Sequence, residues 1–234
     1  MEEQTFTIRD IKVHPFDSFD ALIDYADSRK GILVAVNAEK CMNAKKELVD
    51  VINDNIGYCD GAGAVKVARR KGFPQAARTP GCELWLKVIA RHYASGRSFY
   101  LVGSKTEVVE AVVAKLRGEF PGIQIAGYRN GFLGEGDEER LAADLEATRP
   151  DFVFVAMGSP KQELLMQRLK QRHMAVYQGL GGSFDLYIGN FKRAPRLIQK
   201  LGGEWLWRFV AQPSRIKRIT PYLKFASALY RGKL

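Results

Sequence analysis

Residues 152–163 read Phe-Val-Phe-Val-Ala-Met-Gly-Ser-Pro-Lys-Gln-Glu, and this is the most informative stretch of the chain. Its four leading apolar residues, Phe152–Val155, predict a buried β-strand. Gly158 then turns the chain, and Ser159 stands three residues before Gln162, which is the spacing of a helix capping box. The stretch therefore predicts a buried strand that is followed within a few residues by a helix.

A strand-to-helix turn of this kind is suited to a phosphate. It aims unpaired backbone N–H groups and the positive end of a helix dipole at one point. Pro160 fits the first helical position, and Lys161 and Gln162 add a cation and an amide donor. The alternative is that this segment is only a well-capped helix start. These residues by themselves leave both interpretations open.

Apolar runs alternate with helical patterns along the rest of the chain, which predicts a Rossmann-like, doubly wound α/β fold with a mainly parallel sheet. The predicted strands are 32–36, 56–59, 98–102, 123–127, 152–155 and 175–178. The predicted helices are 38–53, one that ends near residue 72, 84–93, one that ends near residue 117, 138–148 and one that ends near residue 172. Because ligands bind at the carboxyl ends of parallel strands, Asp60, Ser159 and 179–183 fall where a ligand is expected.

The positive charge of the chain is concentrated at its C-terminal end. The net charge is +10, but residues 1–190 hold 25 Lys/Arg and 25 Asp/Glu, whereas residues 191–234 hold eleven Lys/Arg and a single acid, Glu204. We therefore expect a Rossmann-like domain at 1–190 and a basic, aromatic-rich helical appendage at 191–234. A neutral body with a basic end indicates an anionic partner for that end.

Several classes of protein are disfavoured by the sequence. It has no uncharged apolar run of about 18 residues, the length that spans a membrane, and its acidic N-terminus is unlike a signal peptide. Cys41, Cys59 and Cys82 form no Cys-x-x-Cys pair, and the three histidines are scattered. An odd, unpaired set of cysteines fits a reducing compartment. We expect a cytoplasmic protein with no metal site and no cofactor.

Two polar residues, Asn37 and Asp60, directly follow predicted strands. Asp60 either caps the next helix or places a carboxylate at the rim of the ligand crevice, where it could act as a general base. Asn37 is expected to be a helix N-cap, a role that is compatible with ligand contact. Arg78 lies in a predicted loop, and a lone loop arginine is usually solvated.

No complete nucleotide-binding fingerprint accompanies these residues. Gly61 and Gly179 each begin a Gly-x-Gly pattern, but Lys66 and Phe184 occupy the third glycine position. A P-loop is absent, and so is an Asp-x-Asp pair that could hold Mg²⁺ or Mn²⁺ on a nucleotide diphosphate. The nicotinamide dehydrogenase and P-loop NTPase interpretations are therefore weakened.

Taken together, the ordered segments resemble the WecG/TagA/CpsF glycosyltransferase family (glycosyltransferase family 26) from about Ile32 to Lys217. They look most like the branch that acts in enterobacterial common antigen synthesis. The segments are Leu33–Lys40, Asp60-Gly61, Arg78–Trp85, Val155–Glu163, Gly179–Asp185, Lys192–Pro195, Glu204–Arg208 and Gln212–Lys217.

This resemblance implies an inverting glycosyltransferase that uses no metal ion. That branch transfers N-acetyl-D-mannosaminuronic acid from its UDP donor to undecaprenyl-diphosphate-linked GlcNAc. The alternative within the family is the TagA branch, which moves N-acetylmannosamine to a similar acceptor. An alternative of another class is a non-catalytic, nucleic-acid-binding α/β protein with a basic tail, although the body offers no nucleic-acid motif and we expect no such partner.

The resemblance also implies roles for individual residues. The aspartate that matches Asp60 is the base, and the glutamine that matches Gln162 lies at the donor. The remaining candidate substrate-binding residues are Asn37, Arg78, Gly158, Ser159, Lys161, Gly181, Gly182, Ser183, Arg215 and Arg218. The diphosphate is expected at Ser159–Gln162, with help from the glycine loop 179–183.

The appendage mixes cations with large apolar side chains, which suits a helix at a membrane interface. We expect it to attach the protein peripherally to an anionic membrane, the cytoplasmic face of the inner membrane. Arg215 and Arg218 are the candidates for gripping the lipid diphosphate of the acceptor. The alternative is that its tryptophans pack on the domain while its cations are solvated.

Overall fold

A computed structural model describes residues 4–191, 194, 195, 198, 207 and 219–234, and eight strands and ten helices are delimited within this part of the chain. The strands are β1 (Phe6–Ile8), β2 (Ile11–Val13), β3 (Gly31–Val36), β4 (Ile56–Cys59), β5 (Ser98–Gly103), β6 (Gln124–Arg129), β7 (Phe152–Ala156) and β8 (Val176–Gly179). The helices are α1 (Phe19–Arg29), α2 (Ala38–Asn43), α3 (Lys46–Asn53), α4 (Ala62–Arg70), α5 (Gly81–His92), α6 (Thr106–Glu119), α7 (Asp137–Thr148), α8 (Lys161–Arg172), α9 (Ser183–Tyr187) and α10 (Ile219–Tyr230).

Six of the strands form one sheet in the order β4-β3-β8-β7-β5-β6. The pairings of β3 with β8, β8 with β7, β7 with β5 and β5 with β6 are all parallel. Helices connect the successive strands and flank the sheet. The predicted Rossmann-like, doubly wound α/β fold is confirmed, and every strand predicted for the sheet is present.

Some local predictions were wrong. The helix predicted at 38–53 is two helices, α2 and α3, because Ala44 adopts an extended backbone (φ −61°, ψ 127°) between them. Pro221 lies in the first turn of α10, where its missing N–H has no helical acceptor to lose. The antiparallel β1–β2 hairpin and helix α1 precede the first predicted strand.

The chain divides into two compact units. The first comprises Met1–Ser18, Ala35–Pro80 and Gly189–Leu234, and the second comprises Phe19–Val34 and Gly81–Ile188. Residues 192, 193 and most of 196–218 lie outside the described part, so the proposed domain boundary at residue 190 stays a prediction.

The second unit has an aromatic core beneath its sheet. Trp85 on α5 is fully buried and lies edge-on to Phe154 of β7, with ring centroids 5.7 Å apart. Its ring also contacts Phe184 and Tyr187 of α9. These contacts seat the loop that follows β8 against the core, so the carboxyl ends of β7 and β8 rest on a close-packed base.

In the first unit, helix α10 packs against α2 and α4. Phe225 of α10 is buried over Gly63, where an added Cβ would lie only 2.5 Å from the Phe225 ring. The guanidinium of Arg70 donates to the carbonyl oxygen of Leu229. The end of the predicted appendage is thus anchored on the two helices that begin just after Asn37 and Asp60.

The thiols of this unit lead to a first prediction. Burial raises the pKa of both Cys41 and Cys59 from 9.0 to about 12, and the neighbouring Asp60 carboxylate adds to the rise at Cys59. Because the thiolate is the reactive form, iodoacetamide at pH 8 should label the half-buried Cys82 in the folded protein and the other two only after denaturation. Peptide mass spectrometry would measure this.

The same shifts set a pH dependence. Since both pKa values are raised by folding, their contribution to the free energy of unfolding is complete below the ordinary thiol pKa of 9.0 and is lost as pH rises towards about 12. Urea unfolding at pH 8 and pH 10 should show the decline. In the labelling experiment, equal labelling of all three cysteines in the folded protein would contradict the burial of the Cys41 and Cys59 thiols.

Candidate active site

The turn between β7 and α8 lies in the second unit and differs from the predicted capping box. Pro160, which follows a cis peptide bond, is the N-cap of α8, and Lys161 is the first helical residue. The third helical position is therefore Glu163 rather than Gln162. The predicted capping box with Ser159 as N-cap is wrong because the helix begins one residue later than that motif requires.

The Gln162 side chain instead joins the ends of two strands. Its Oε1 accepts hydrogen bonds from the backbone N–H of Gly158, at 3.1 Å, and of Gly181, at 2.9 Å. Its Nε2 donates to Glu163 Oε1 at 3.0 Å, and the residue is only 3% exposed. Both lone pairs of its oxygen are thus used inside the protein, so Gln162 holds the two loops together.

Both loops that Gln162 bridges need glycine. Gly158 and Gly181 have φ values of 80° and 58°, a region that side-chain-bearing residues rarely occupy. Gly179 leaves room for the amide, because an added Cβ there would lie 2.4 Å from Gln162 Nε2. The buried hydroxyl of Ser183 donates to the carbonyl of Leu180 at 2.7 Å and closes the glycine loop.

Three other N–H groups remain available in the two loops that Gln162 joins. Within the described residues, the backbone N–H groups of Ser159, Lys161 and Gly182 donate no hydrogen bond. All three residues are exposed, and Lys161 begins a helix of 12 residues. Unused donors in two joined loops, together with a helix N-terminus and an exposed lysine, suit a phosphate group.

The loops after β5 and β6 adjoin the same turn, and sequence reasoning did not select them. Ser104 N–H donates to the Ala156 carbonyl at 3.0 Å, and Gly131 N–H donates to the Ser104 carbonyl at 2.9 Å. The Ser104 hydroxyl donates to Asp185 Oδ2 at 3.0 Å. The sequence feature that could have identified Ser104 is its position soon after a predicted strand.

In the first unit, Asp60 follows the carboxyl end of β4. Gly61, not Asp60, is the N-cap of α4, so the interpretation of Asp60 as a helix cap is wrong. The Asp60 N–H donates to the carbonyl of Val36 at 3.1 Å. Asn37, which follows Val36 in the chain, is confirmed as a helix N-cap, since its Oδ1 accepts from Lys40 N–H at 3.2 Å.

A short segment, Arg78-Thr79, lies along the end of β4 and completes this group. Arg78 Nε donates to the Asp60 carbonyl at 3.0 Å. Thr79, which the sequence did not single out and which is 1% exposed, donates through its N–H to the Cys59 carbonyl at 2.9 Å. The first unit therefore brings Asn37, Asp60 and Arg78 together.

Two sequence-based candidates, Arg215 and Arg218, lie outside the described residues. Across the described ranges, no three His, Cys, Asp or Glu side chains are grouped so that they could hold a metal ion. None of the described helices has both the length and the apolar character needed to cross a membrane.

The geometry can be compared with known protein families. Residues 6–234 match the sequence model described as the glycosyl transferase WecG/TagA/CpsF family, so the match covers almost the entire chain, including the basic C-terminal end. The chain belongs to this family of glycosyltransferases, enzymes that transfer a sugar from a UDP donor to a lipid-linked sugar.

Proposed function

We propose that this enzyme transfers N-acetyl-D-mannosaminuronic acid from UDP to undecaprenyl-diphosphate-linked GlcNAc, with inversion and without a metal ion. The observation that carries the mechanism is the Asp60 carboxylate at the end of β4, whose backbone is held by Val36 and Arg78. The choice of donor rests on the sequence segments that resemble the enterobacterial common antigen branch, among them Asn37-Ala-Glu-Lys40.

The chemical step is a single displacement. Asp60 accepts the proton of the acceptor 4-hydroxyl as its oxygen forms a bond to the anomeric carbon of the donor. The bond from that carbon to the diphosphate oxygen breaks, and UDP leaves with the electron pair from the opposite face. One base suffices for inversion, and positioned bases of this kind contribute about 10²–10⁴-fold to a rate.

The departing diphosphate gains negative charge in the transition state. The unused N–H groups of Ser159, Lys161 and Gly182, with the Lys161 ammonium, supply donors for it. Donors aimed at developing charge accelerate the step itself rather than merely tightening binding. Gly158 and Gly181 contribute through loop shape, because their N–H groups are occupied by Gln162.

A uronate donor calls for a cation near its carboxylate. Three basic residues are candidates for this role, namely Lys66, Arg78 and Arg129, and the contacts of Arg129 disfavour it. Its guanidinium forms an ion pair of 2.9 Å with Asp137 and also donates to the Asp137 carbonyl. The hydrogen bond from the Arg129 side chain, with those from the Gly134 N–H and Arg140, lowers the pKa of the Asp137 carboxyl, which keeps the pair ionised. Lys66 and Arg78 are the remaining candidates.

Replacing Asp60 tests the base assignment. We expect Asp60→Asn to lower kcat by about 10²–10⁴-fold with little change in UDP affinity, since the amide cannot take a proton. The assay is turnover with lipid-linked GlcNAc and, in parallel, the UDP-linked mannosaminuronate or N-acetylmannosamine. Asp54→Asn, an exposed change in the same unit, is the matched control.

The outcomes of that assay separate the proposals. Near wild-type turnover by Asp60→Asn would remove Asp60 as the base. Faster turnover with N-acetylmannosamine than with the mannosaminuronate would instead favour the TagA-type reaction. No UDP release from either donor with any lipid-linked acceptor would contradict both.

We also propose that the C-terminal end docks on an anionic membrane, the cytoplasmic face of the inner membrane. Helix α10 exposes Leu223 and Tyr230, which are 57% and 91% exposed. Three exposed cations accompany them, namely Lys224, Arg231 and Lys233. Apolar groups interspersed with cations are the features of an interfacial helix.

Charge reversal in the full chain tests this docking. Each cation near an anionic leaflet contributes about 1 kcal/mol, so K224E/R231E/K233E should bind phosphatidylglycerol-containing vesicles at least about a hundredfold more weakly. The control, K30E/K105E/R117E, changes the same charge at exposed sites in the second unit. Equal loss of binding in both variants, measured by vesicle sedimentation, would refute a specific role for α10.

A further inference from the structure

We propose that Glu163 is a positioning residue for the diphosphate-binding turn, acting by fixing the orientation of the Gln162 amide. This inference rests on the proposed function for its catalytic consequence, but its structural part stands on contacts within the second unit. Glu163 is 1% exposed, and its Oε1 accepts the hydrogen bond from Gln162 Nε2 at 3.0 Å.

A side-chain amide has two orientations that differ in which end donates. In the observed one, the Gln162 oxygen faces two backbone donors, the N–H groups of Gly158 and Gly181. Rotating the amide by half a turn would place its NH₂ group against those donors and its oxygen against the Glu163 carboxylate. Every contact would then pair like with like, and a carboxylate accepts but does not donate. Glu163 therefore selects the orientation that holds both loops.

The position of Glu163 makes a buried carboxylate tolerable. It lies in the first turn of α8, where the helix dipole favours negative charge. A hydrogen bond to an ionised acceptor is also roughly twice as strong as one between neutral groups. The N-terminus of α8 thus stabilises a carboxylate that has almost no contact with solvent.

The Gln162 amide packs closely against Gly179. A Cβ at Gly179 would lie 2.4 Å from Gln162 Nε2, and the Met166 methyl group lies 3.1 Å from that same Cβ position. With its amide fixed, Gln162 ties the end of β7 to the loop after β8. The N–H groups left over, those of Ser159, Lys161 and Gly182, are then the ones that a diphosphate can use.

A swap of the two side chains tests this inference most sharply. Glu163→Ala removes the acceptor and should lower kcat/KM by about 10–100-fold, the range typical of residues that orient a functional group. Glu163→Gln keeps an acceptor oxygen and should retain most activity. Gln162→Glu sets two carboxylates together and should be strongly impaired, whereas Q162E/E163Q restores a donor facing an acceptor and should recover most of that loss.

Hydrogen exchange provides a readout that needs no substrate. In Glu163→Ala the amide protons of Gly158 and Gly181 should exchange faster than in the wild type, and the swapped variant should restore their protection. UDP affinity should be lower in Glu163→Ala than in the wild type, and the swapped variant should restore it. Glu110→Ala, which removes an exposed carboxylate on α6, is the control and should change none of these quantities.

The results distinguish this inference from the proposed function. Unchanged exchange at both glycines and unchanged UDP affinity in Glu163→Ala would overturn it. So would an inactive, unprotected Q162E/E163Q, which decides the matter even if Glu163→Ala fails to fold. If the wild-type protein shows no sugar transfer while Glu163→Ala alters exchange at the two glycines, the proposed function is overturned and the positioning role stays intact.

Discussion

The geometry of the candidate site in the second unit depends on the hydrogen bonds that the buried carboxamide of Gln162 accepts. A single oxygen accepts from Gly158 and Gly181 and so fastens the ends of two parallel strands to each other. Parallel strands leave their carboxyl ends open as loops, and such loops need a partner to be held in one shape. Here the partner is a side chain from the helix that follows one of the strands. The loop geometry therefore comes from a packed side chain as well as from the sheet.

The group of residues in the first unit is organised by backbone contacts. Arg78 and Thr79 lie along the last residues of β4 and hydrogen-bond to the carbonyls of Asp60 and Cys59. Asn37 caps the helix that follows β3. The Asp60 backbone is thereby held while its carboxylate follows the strand end. Helix α10 packs on the two helices that start here, so this last helix is anchored on the elements that follow Asn37 and Asp60.

The parallel sheet was predictable because its strands are short apolar runs separated by amphipathic helices, as Phe152–Ala156 shows. Details that depend on distant residues were not. The amide of Gln162 accepts from Gly181, 19 residues further on, and no local sequence pattern indicates that contact. The spacing of the neighbouring residues indicated a capping box instead. The β1–β2 hairpin was missed for a different reason, since its turn uses Arg9 at φ 55° where glycine or asparagine would have signalled it.

We propose that the turn between β7 and α8 and the loop after β8 bind the diphosphate of UDP through the N–H groups that Gln162 leaves unused. Amide NMR of the full chain during titration with UDP tests it most directly. We predict the largest shift changes at Ser159, Lys161 and Gly182, while Gly158 and Gly181 keep their slow hydrogen exchange. Saturable UDP binding that leaves the amides of Ser159, Lys161 and Gly182 unshifted would show that the diphosphate binds elsewhere.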